Sequence, residues 1–222
     1  MSADNQVKSK DRVRDHGEVF TNKREVNSML DLVKNETIRI DSRFLEPACG
    51  EGNFLEEILI RKLNVVENKY KKNINDYENY SILALSAIYG IDILEDNIKA
   101  CKKRLLTAWE EKYVNLYKVK PGLNLTKSAK FILSKNMIVG DALTMKTIKG
   151  NRIVVSEWKL LRLSHIQRSD YYLDKLMNSP LKVKEIKNKK PVYVENKIVI
   201  DKKEKEFIRK VVSNTRMLTS DK

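Results

Sequence analysis

Hydrophobic and polar residues follow two different spacings along this chain, and the change from one to the other predicts helices and strands in turn. Apolar residues recur at the spacing of an amphipathic helix over residues 23–33, 53–60 and 95–113. Four short apolar runs are typical of strands: residues 43–46, 89–93, 136–141 and 151–156. Strands that alternate with helices predict parallel β-α units. We therefore expect an α/β, Rossmann-like fold with a mostly parallel sheet, helices on both faces and a small basic C-terminal attachment.

The first predicted strand runs into a glycine-containing turn that opens a helix. Glu46 ends the strand, and Gly50 and Gly52 lie in the turn that follows. In an open α/β sheet a ligand lies across the carboxyl ends of the strands, near such a turn. Glycines let the backbone approach the ligand closely, and the helix N-terminus offers N–H groups to an anionic end. A carboxylate at Glu46 favours a ligand that also carries an ammonium group, and hence an amino-acid moiety over a pyrophosphate.

Two further acids end the next predicted strands. Asp92 is placed to accept hydrogen bonds from ribose hydroxyls, Ile93 to pack on a purine, and Asp141 to accept one from an adenine amine. Together with Glu46, these residues describe a site for S-adenosylmethionine (SAM). Each signal alone is weak, because a single G-x-G is more often a turn and a strand-terminal Asp is more often a helix N-cap.

A dinucleotide is the rival ligand for a glycine-rich turn after a strand. The dinucleotide fingerprint needs a third glycine, but Leu55 stands at that position. It also places the ribose acid about 20 residues further on, whereas Asp92 lies 40 residues beyond Gly52 (92 − 52). Both differences favour SAM.

Three stretches of the sequence resemble one known family. They read HGEVFT at residues 16–21, FLEPACGEGNF at residues 44–54 and YGIDI at residues 89–93. The chain in this way resembles the N6-adenine DNA methyltransferases of restriction–modification systems over residues 12–160. The resemblance implies a class I SAM-dependent methyltransferase fold, with DNA as the substrate. It assigns the cofactor to eleven residues: Phe20, Thr21, Glu46, Pro47, Gly50, Gly52, Phe54, Asp92, Ile93, Asp141 and Ala142.

The chain departs from the family at the catalytic loop. That loop reads Asn/Asp-Pro-Pro-Tyr/Phe after the fourth strand, but this chain has no Pro-Pro pair, and Asn22 replaces the proline that usually follows F-T. Ser156, Glu157 and Trp158 occupy the position of the loop. The resemblance then implies that Ser156 or Glu157 accepts a hydrogen bond from the adenine amine and that Trp158 stacks on the flipped base. The alternative is that Ser156 and Glu157 cap the next element and that Trp158 is a core residue.

Length and charge bear on organisation and partners. The chain has 222 residues and a formal net charge of +14, with 44 basic and 30 acidic residues. Such a surplus favours binding to nucleic acid, although a solvated lysine-rich surface is the plainer explanation. We predict an N-terminal arm at residues 1–22 that partly lines the cofactor, a SAM-binding domain at 23–160 and a basic extension at 161–222. The 64 residues after Trp158 (222 − 158) are too few for the remaining strands and a target-recognition region, so a specificity or nuclease subunit is expected as a partner.

Several features limit the remaining possibilities. Two cysteines form no disulfide framework and no zinc-binding spacing, so no metal is expected. No apolar run approaches the roughly 18–20 residues that span a bilayer. The polar N-terminus lacks the apolar centre of a signal peptide, which predicts a cytoplasmic location.

Three functional hypotheses follow from the sequence. The leading one is a SAM-dependent DNA adenine-N6 methyltransferase domain. The second is a catalytically inactive subunit of the same fold that binds SAM or DNA and works with a partner methylase or nuclease. The third is a basic nucleic-acid-binding module without a cofactor.

Overall fold

A computed structural model of the protein describes residues 21–161 and 166–178. The helices of this part are α1 (Lys23–Asp31), α2 (Lys34–Thr37), α3 (Asn53–Tyr70), α4 (Ile74–Ser86), α5 (Glu95–Tyr117), α6 (Leu123–Asn136) and α7 (Leu173–Asn178). The strands are β1 (Phe44–Glu46), β2 (Ile88–Asp92), β3 (Met137–Asp141), β4 (Lys146–Thr147), β5 (Val154–Leu160) and β6 (Ile166–Tyr172). No helix of the described residues is long and apolar enough to cross a membrane.

The main sheet has four strands in the order β1-β2-β3-β4. The strands β1, β2 and β3 are parallel, and the two-residue strand β4 pairs antiparallel with β3. Glu46 lies opposite Gly90, and Asp92 lies opposite Val139, so the carboxyl ends of the parallel strands share one edge of the sheet. The prediction of a mixed α/β fold with a mostly parallel sheet is confirmed, and the strand arrangement is compatible with a Rossmann-like fold.

Helices α3 and α5 cover one face of this sheet. Both begin directly after a strand end, and both contact β2. The approach is close at Gly90, where a Cβ atom would lie 2.8 Å from the Cys49 Sγ atom and 3.0 Å from the Leu55 side chain. A larger residue at position 90 would therefore push the glycine-containing turn and α3 away from the sheet.

The opposite face, at Tyr89 and Ile91, packs against an antiparallel hairpin. Strand β5 pairs with β6 along seven residues of each strand, in a separate two-stranded sheet. Ile91 shares a cluster of buried side chains with Val155 and Tyr171, and the Tyr89 hydroxyl donates to the Ser156 carbonyl over 2.7 Å. The predicted fourth parallel strand is therefore wrong, and at this place the structure has a hairpin where the sequence predicted a helix-covered face.

The hairpin also crosses the boundary that the sequence predicted between the SAM-binding domain and the C-terminal extension. Strand β5 precedes residue 161, whereas β6 and α7 follow it. Residues 1–20, which form most of the predicted arm, and residues 179–222 of the predicted extension lie outside the described residues.

One buried cation fixes the connection that leads into β1. The Lys62 side chain of α3 is fully buried, and its Nζ atom donates to the carbonyl oxygens of Ile40 at 3.2 Å and Ser42 at 2.7 Å, and also to that of Arg39. Burial lowers the pKa of Lys62 to about 8. These bonds hold the chain where it enters the strand that carries Glu46.

Candidate functional site

A cavity of about 580 Å³ opens at the carboxyl ends of β1, β2 and β3. This volume is within the range of small-molecule and cofactor sites. Seventeen of the described residues line it: Thr21, Glu46, Pro47, Ala48, Cys49, Gly50, Glu51, Asn53, Phe54, Asp92, Ile93, Leu94, Asn97, Gly140, Asp141, Ala142 and Leu143. The three strand-terminal carboxylates that the sequence selected thus border one cavity.

Glu46 is a half-buried carboxylate at the end of β1. Burial raises its pKa, and a hydrogen bond from the Ala48 backbone opposes this rise. Among the described residues, no Lys or Arg makes an ion pair with Glu46. A burial cost without a protein counter-charge is the arrangement expected of a residue that binds a cationic group of a ligand.

Asp92 is only 9% exposed and joins the glycine-containing turn to the start of α5. Its Oδ2 atom accepts from the Gly50 N–H at 2.9 Å, and its Oδ1 atom accepts from the Leu94 N–H at 2.8 Å. The Asn97 side chain also donates to Oδ1 at 3.4 Å. A carboxylate has about four acceptor positions, so Asp92 retains capacity for a ligand hydroxyl while it holds the turn in place.

Asp141 organises the turn that follows β3. Its Oδ1 atom accepts from the Leu143 N–H at 2.8 Å, and its Oδ2 atom accepts from the Thr144 hydroxyl at 2.9 Å. These hydrogen bonds lower the pKa of Asp141. Asp141 therefore caps a turn in this structure, and not the helix N-terminus that a strand-terminal Asp more often caps. It also borders the cavity.

The two glycines of the turn differ in role. Gly50 lines the cavity at φ +52°, with open space around the position of a Cβ atom. Gly52 does not line the cavity. It precedes the first residue of α3 at φ +88°, and a Cβ atom there would lie 2.6 Å from the Cys101 Sγ atom. Gly52 thus allows the turn to approach α5, rather than a ligand.

The other residues that the family resemblance assigned to the cofactor are placed as follows. Thr21, Pro47, Phe54, Ile93 and Ala142 all line the cavity. The Thr21 carbonyl accepts from the Asn53 side chain at 3.5 Å, so the chain before α1 reaches the turn. Phe20 lies outside the described residues.

The charge of the cavity is opposite to that of the chain. Four carboxylates line it, those of Glu46, Glu51, Asp92 and Asp141, and no Lys, Arg or His is among the described lining residues. Of these four, only Glu51 makes an ion pair with a described residue, the Arg104 guanidinium at 3.6 Å. Within a chain of net charge +14, this acidic cavity favours a ligand with positive charge and hydroxyl groups.

The predicted catalytic residues lie in the hairpin, away from this cavity. The Ser156 hydroxyl donates to Asp170 at 2.7 Å, and Glu157 accepts from Arg43 at 2.6 Å. Trp158 is 6% exposed, and its Nε1 atom donates to the Asn136 side chain at 2.8 Å. None of the three lines the cavity. The position of Trp158 agrees with the alternative that it is a core residue.

Sequence reasoning missed three polar residues that line the cavity, Glu51, Asn53 and Asn97. Asn97 lies in the first turns of α5, five residues after Asp92, and Asn53 is the first residue of α3. Asn53 and Asn97 could have been predicted from the sequence, because the first turn of a helix that follows a parallel strand faces the same edge of the sheet as the strand end.

The described residues contain no group of three His, Cys, Asp or Glu side chains arranged to hold a metal ion. Cys49, which lines the cavity, and Cys101 are free thiols, and the pKa of Cys49 is raised by its contact with Cys101 and by burial.

Comparisons of the chain with protein-family models, with curated proteins and with solved structures found no match.

Proposed function

We propose that this chain is a SAM-binding domain of a DNA adenine-N6 methyltransferase. The observation that carries the proposal is the convergence of Glu46, Asp92 and Asp141 on one cavity at the carboxyl ends of three adjacent parallel strands. Ligands of open α/β sheets occupy this edge. The family resemblance of the three sequence stretches supports the same ligand.

Charge is the main argument for SAM over a dinucleotide. SAM carries an ammonium, a sulfonium and one carboxylate, and therefore has a net positive charge. A pyrophosphate in the same place would face four carboxylates and no described basic side chain. Like charges at short distance are unfavourable, most of all in a partly buried site.

Each of these residues binds a different part of SAM. Glu46 binds the ammonium, and the first turn of α3, with Asn53 and Phe54 on the cavity, faces the ligand carboxylate. Asp92 binds the ribose through its remaining acceptor capacity, and Ile93 packs on the adenine. Asp141 holds the turn after β3 that borders the adenine end. Bound SAM supplies an electrophilic methyl group, and these side chains bind and orient it.

Transfer to DNA needs an acceptor for the target amine near the cavity. Ser156, Glu157 and Trp158 do not border the cavity, so this acceptor has to come from another residue of the chain or from a partner chain. If the chain transfers the methyl group without a partner, the acceptor must be one of its own residues.

A second candidate function is a SAM-binding subunit without catalysis of its own, which works with a partner methylase or nuclease. The specific observation in its favour is the burial of Ser156 and Trp158 in the hairpin core, where neither side chain is accessible to a flipped base.

The experiment combines binding with activity. Calorimetry of the full chain should show that it binds SAM and that it does not bind NAD, which is the control ligand. Incubation with tritiated SAM and mixed-sequence DNA should then label the DNA if the chain is catalytic. SAM binding without labelling supports the subunit function, and absence of SAM binding overturns the proposed site.

A further inference from the structure

The segment that follows β3 is a basic hairpin, which we define as residues 142–152. It contains three basic residues, Lys146, Lys149 and Arg152, and no acidic residue. Two of its apolar side chains are strongly exposed: Leu143 is 93% exposed and Ile148 is 64% exposed. The basic hairpin thus combines three cations with two apolar side chains that are accessible from solvent.

Backbone hydrogen bonds close the basic hairpin. The Thr147 N–H donates to the Asn151 carbonyl at 2.7 Å, and the Ile153 N–H donates to the Met145 carbonyl at 2.9 Å. Gly150 allows the tip to turn, with φ +79°. Such a hairpin presents Ile148 and Lys149 in a fixed position at its tip.

Arg152 anchors the base of the hairpin. Its guanidinium binds both carboxylate oxygens of Asp174, at 2.7 and 2.8 Å, and lies 3.6 Å from the centre of the Tyr172 ring. By contrast, Lys146 and Lys149 are exposed and make no ion pair with any described residue. These two lysines are therefore available to a partner.

The positive surface continues onto α5. The pKa of Glu95, at the start of α5, is lowered by a hydrogen bond from Lys99 and further by the charges of Lys102 and Lys149. The Lys99 Nζ atom lies 2.9 Å from the Glu95 carboxylate, and the charges of Lys102 and Lys149 act on the same carboxylate. Lys149 of the basic hairpin is therefore near the lysines at the start of α5.

We propose that the basic hairpin is a docking surface for duplex DNA. Lysines bind phosphates and release counterions, and Leu and Ile side chains are used by DNA-binding proteins as wedges between base steps. A protein partner is disfavoured, because lysine is depleted in protein–protein interfaces. DNA is the proposed partner because the positive charges of the lysines complement the negative charges of the phosphates. The proposal deepens the proposed function, on whose DNA substrate it rests, by naming a surface of the chain that binds the duplex.

The test measures DNA affinity and its salt dependence by fluorescence anisotropy, with the full chain and a labelled 30-bp duplex as the probe. The double variant Lys146→Glu/Lys149→Glu should bind roughly tenfold or more weakly, and the slope of log K against log salt should fall by about 1.8, since each lost phosphate contact contributes about 0.9. Ile148→Ser should weaken binding without a change of slope. The control is Lys127→Glu/Lys130→Glu, which makes the same charge change on exposed positions of α6.

Each result decides the proposal. Loss of affinity in the hairpin variants with little change in the control supports it. Unchanged affinity and slope in Lys146→Glu/Lys149→Glu, or an equal loss in the control, overturns it. SAM binding by the same variants, measured by calorimetry, should equal that of the parent chain. A failure of the SAM site would appear in the parent chain itself and is therefore distinguishable from a failure of DNA docking.

Discussion

Replacement of Glu46 by Gln should change the stability of the free protein and its affinity for SAM in opposite directions. Gln keeps the shape of Glu46 and an oxygen that can accept the hydrogen bond from the Ala48 backbone, so the substitution chiefly removes the charge. Since burial raises the pKa of Glu46, the folded state disfavours the ionised carboxylate relative to the unfolded state. The stability that Glu46 contributes is present at acidic pH and is lost as the pH rises through its folded pKa. At neutral pH the free Glu46→Gln protein should therefore unfold at a higher temperature than the parent.

The effect on SAM binding is unfavourable, in contrast to the effect on stability. Glu46 is the carboxylate assigned to the ligand ammonium, and a hydrogen bond to a charged group contributes about 1.5–3 kcal/mol. Its loss should raise the Kd for SAM by about 10- to 150-fold. In the parent, affinity should also fall as the pH decreases through the raised pKa of Glu46, whereas Glu46→Gln should lack this pH dependence.

Two measurements on each protein check the prediction. Thermal unfolding without ligand gives the stability, and calorimetry with SAM at neutral and mildly acidic pH gives the affinity. Glu111→Gln is the matched control, because Glu111 is an exposed residue of α5 outside the cavity; both quantities should equal those of the parent. A lower unfolding temperature of Glu46→Gln would refute the burial argument, and an unchanged Kd would refute the role of Glu46.

Three further substitutions test the packing and the buried charges of the fold. Gly52→Ala should destabilise the protein by about 1–3 kcal/mol, because it combines strain at φ +88° with a Cβ atom 2.6 Å from the Cys101 Sγ atom; urea unfolding measures this. Asp170→Asn should destabilise by about 3–5 kcal/mol, because it leaves the buried Arg168, which donates to Asp170 at 2.8 Å, without its counter-charge. For Lys62, with a pKa lowered to about 8, the unfolded state binds more protons between pH 8 and the ordinary lysine pKa of about 10.4. The stability of the parent relative to Lys62→Met should therefore increase with pH across this window.

Controls for these three substitutions use the same assays. Gly50→Ala shares a positive φ with Gly52→Ala but meets no atom within 4 Å, so it should be less destabilising. Equal losses would contradict the role of Cys101. A cost below 1 kcal/mol for Asp170→Asn would contradict the buried ion pair. A pH-independent difference between the parent and Lys62→Met would contradict the lowered pKa.

The sequence predicted the parallel core of the fold and the edge at which the cavity lies. Glu46, Asp92 and Asp141 were identifiable because each ends an apolar run, and parallel strands bring such ends to one edge of the sheet. The pattern of hydrophobic residues contains this information locally, so no long-range contact had to be known.

The β5–β6 hairpin was not predictable from the same pattern of hydrophobic residues. An apolar run such as residues 151–156 suits a buried parallel strand and a buried antiparallel strand equally, because periodicity does not report the partner. The partner, β6, lies in a segment of weak pattern. Ser156 of β5 contacts Asp170 of β6, and Trp158 of β5 contacts Asn136 at the end of α6. These contacts are tertiary, and they explain why Trp158 is a core residue.

The different roles of Gly50 and Gly52 were also not predictable from the sequence. Both glycines fit a turn that approaches a ligand, and only the packing of Gly52 against Cys101 separates them. Likewise, the backbone hydrogen bonds that occupy Asp92 and Asp141 depend on the conformations of the turns that follow, which the sequence does not specify.

A crystal structure of the full chain grown with SAM tests the assignment of the cavity most directly. We expect the ligand at the carboxyl ends of β1, β2 and β3, with its ammonium nitrogen within hydrogen-bond distance of the Glu46 carboxylate and its ribose next to Asp92. A map without the ligand in this cavity at saturating SAM, or with the ligand bound elsewhere, would contradict the assignment.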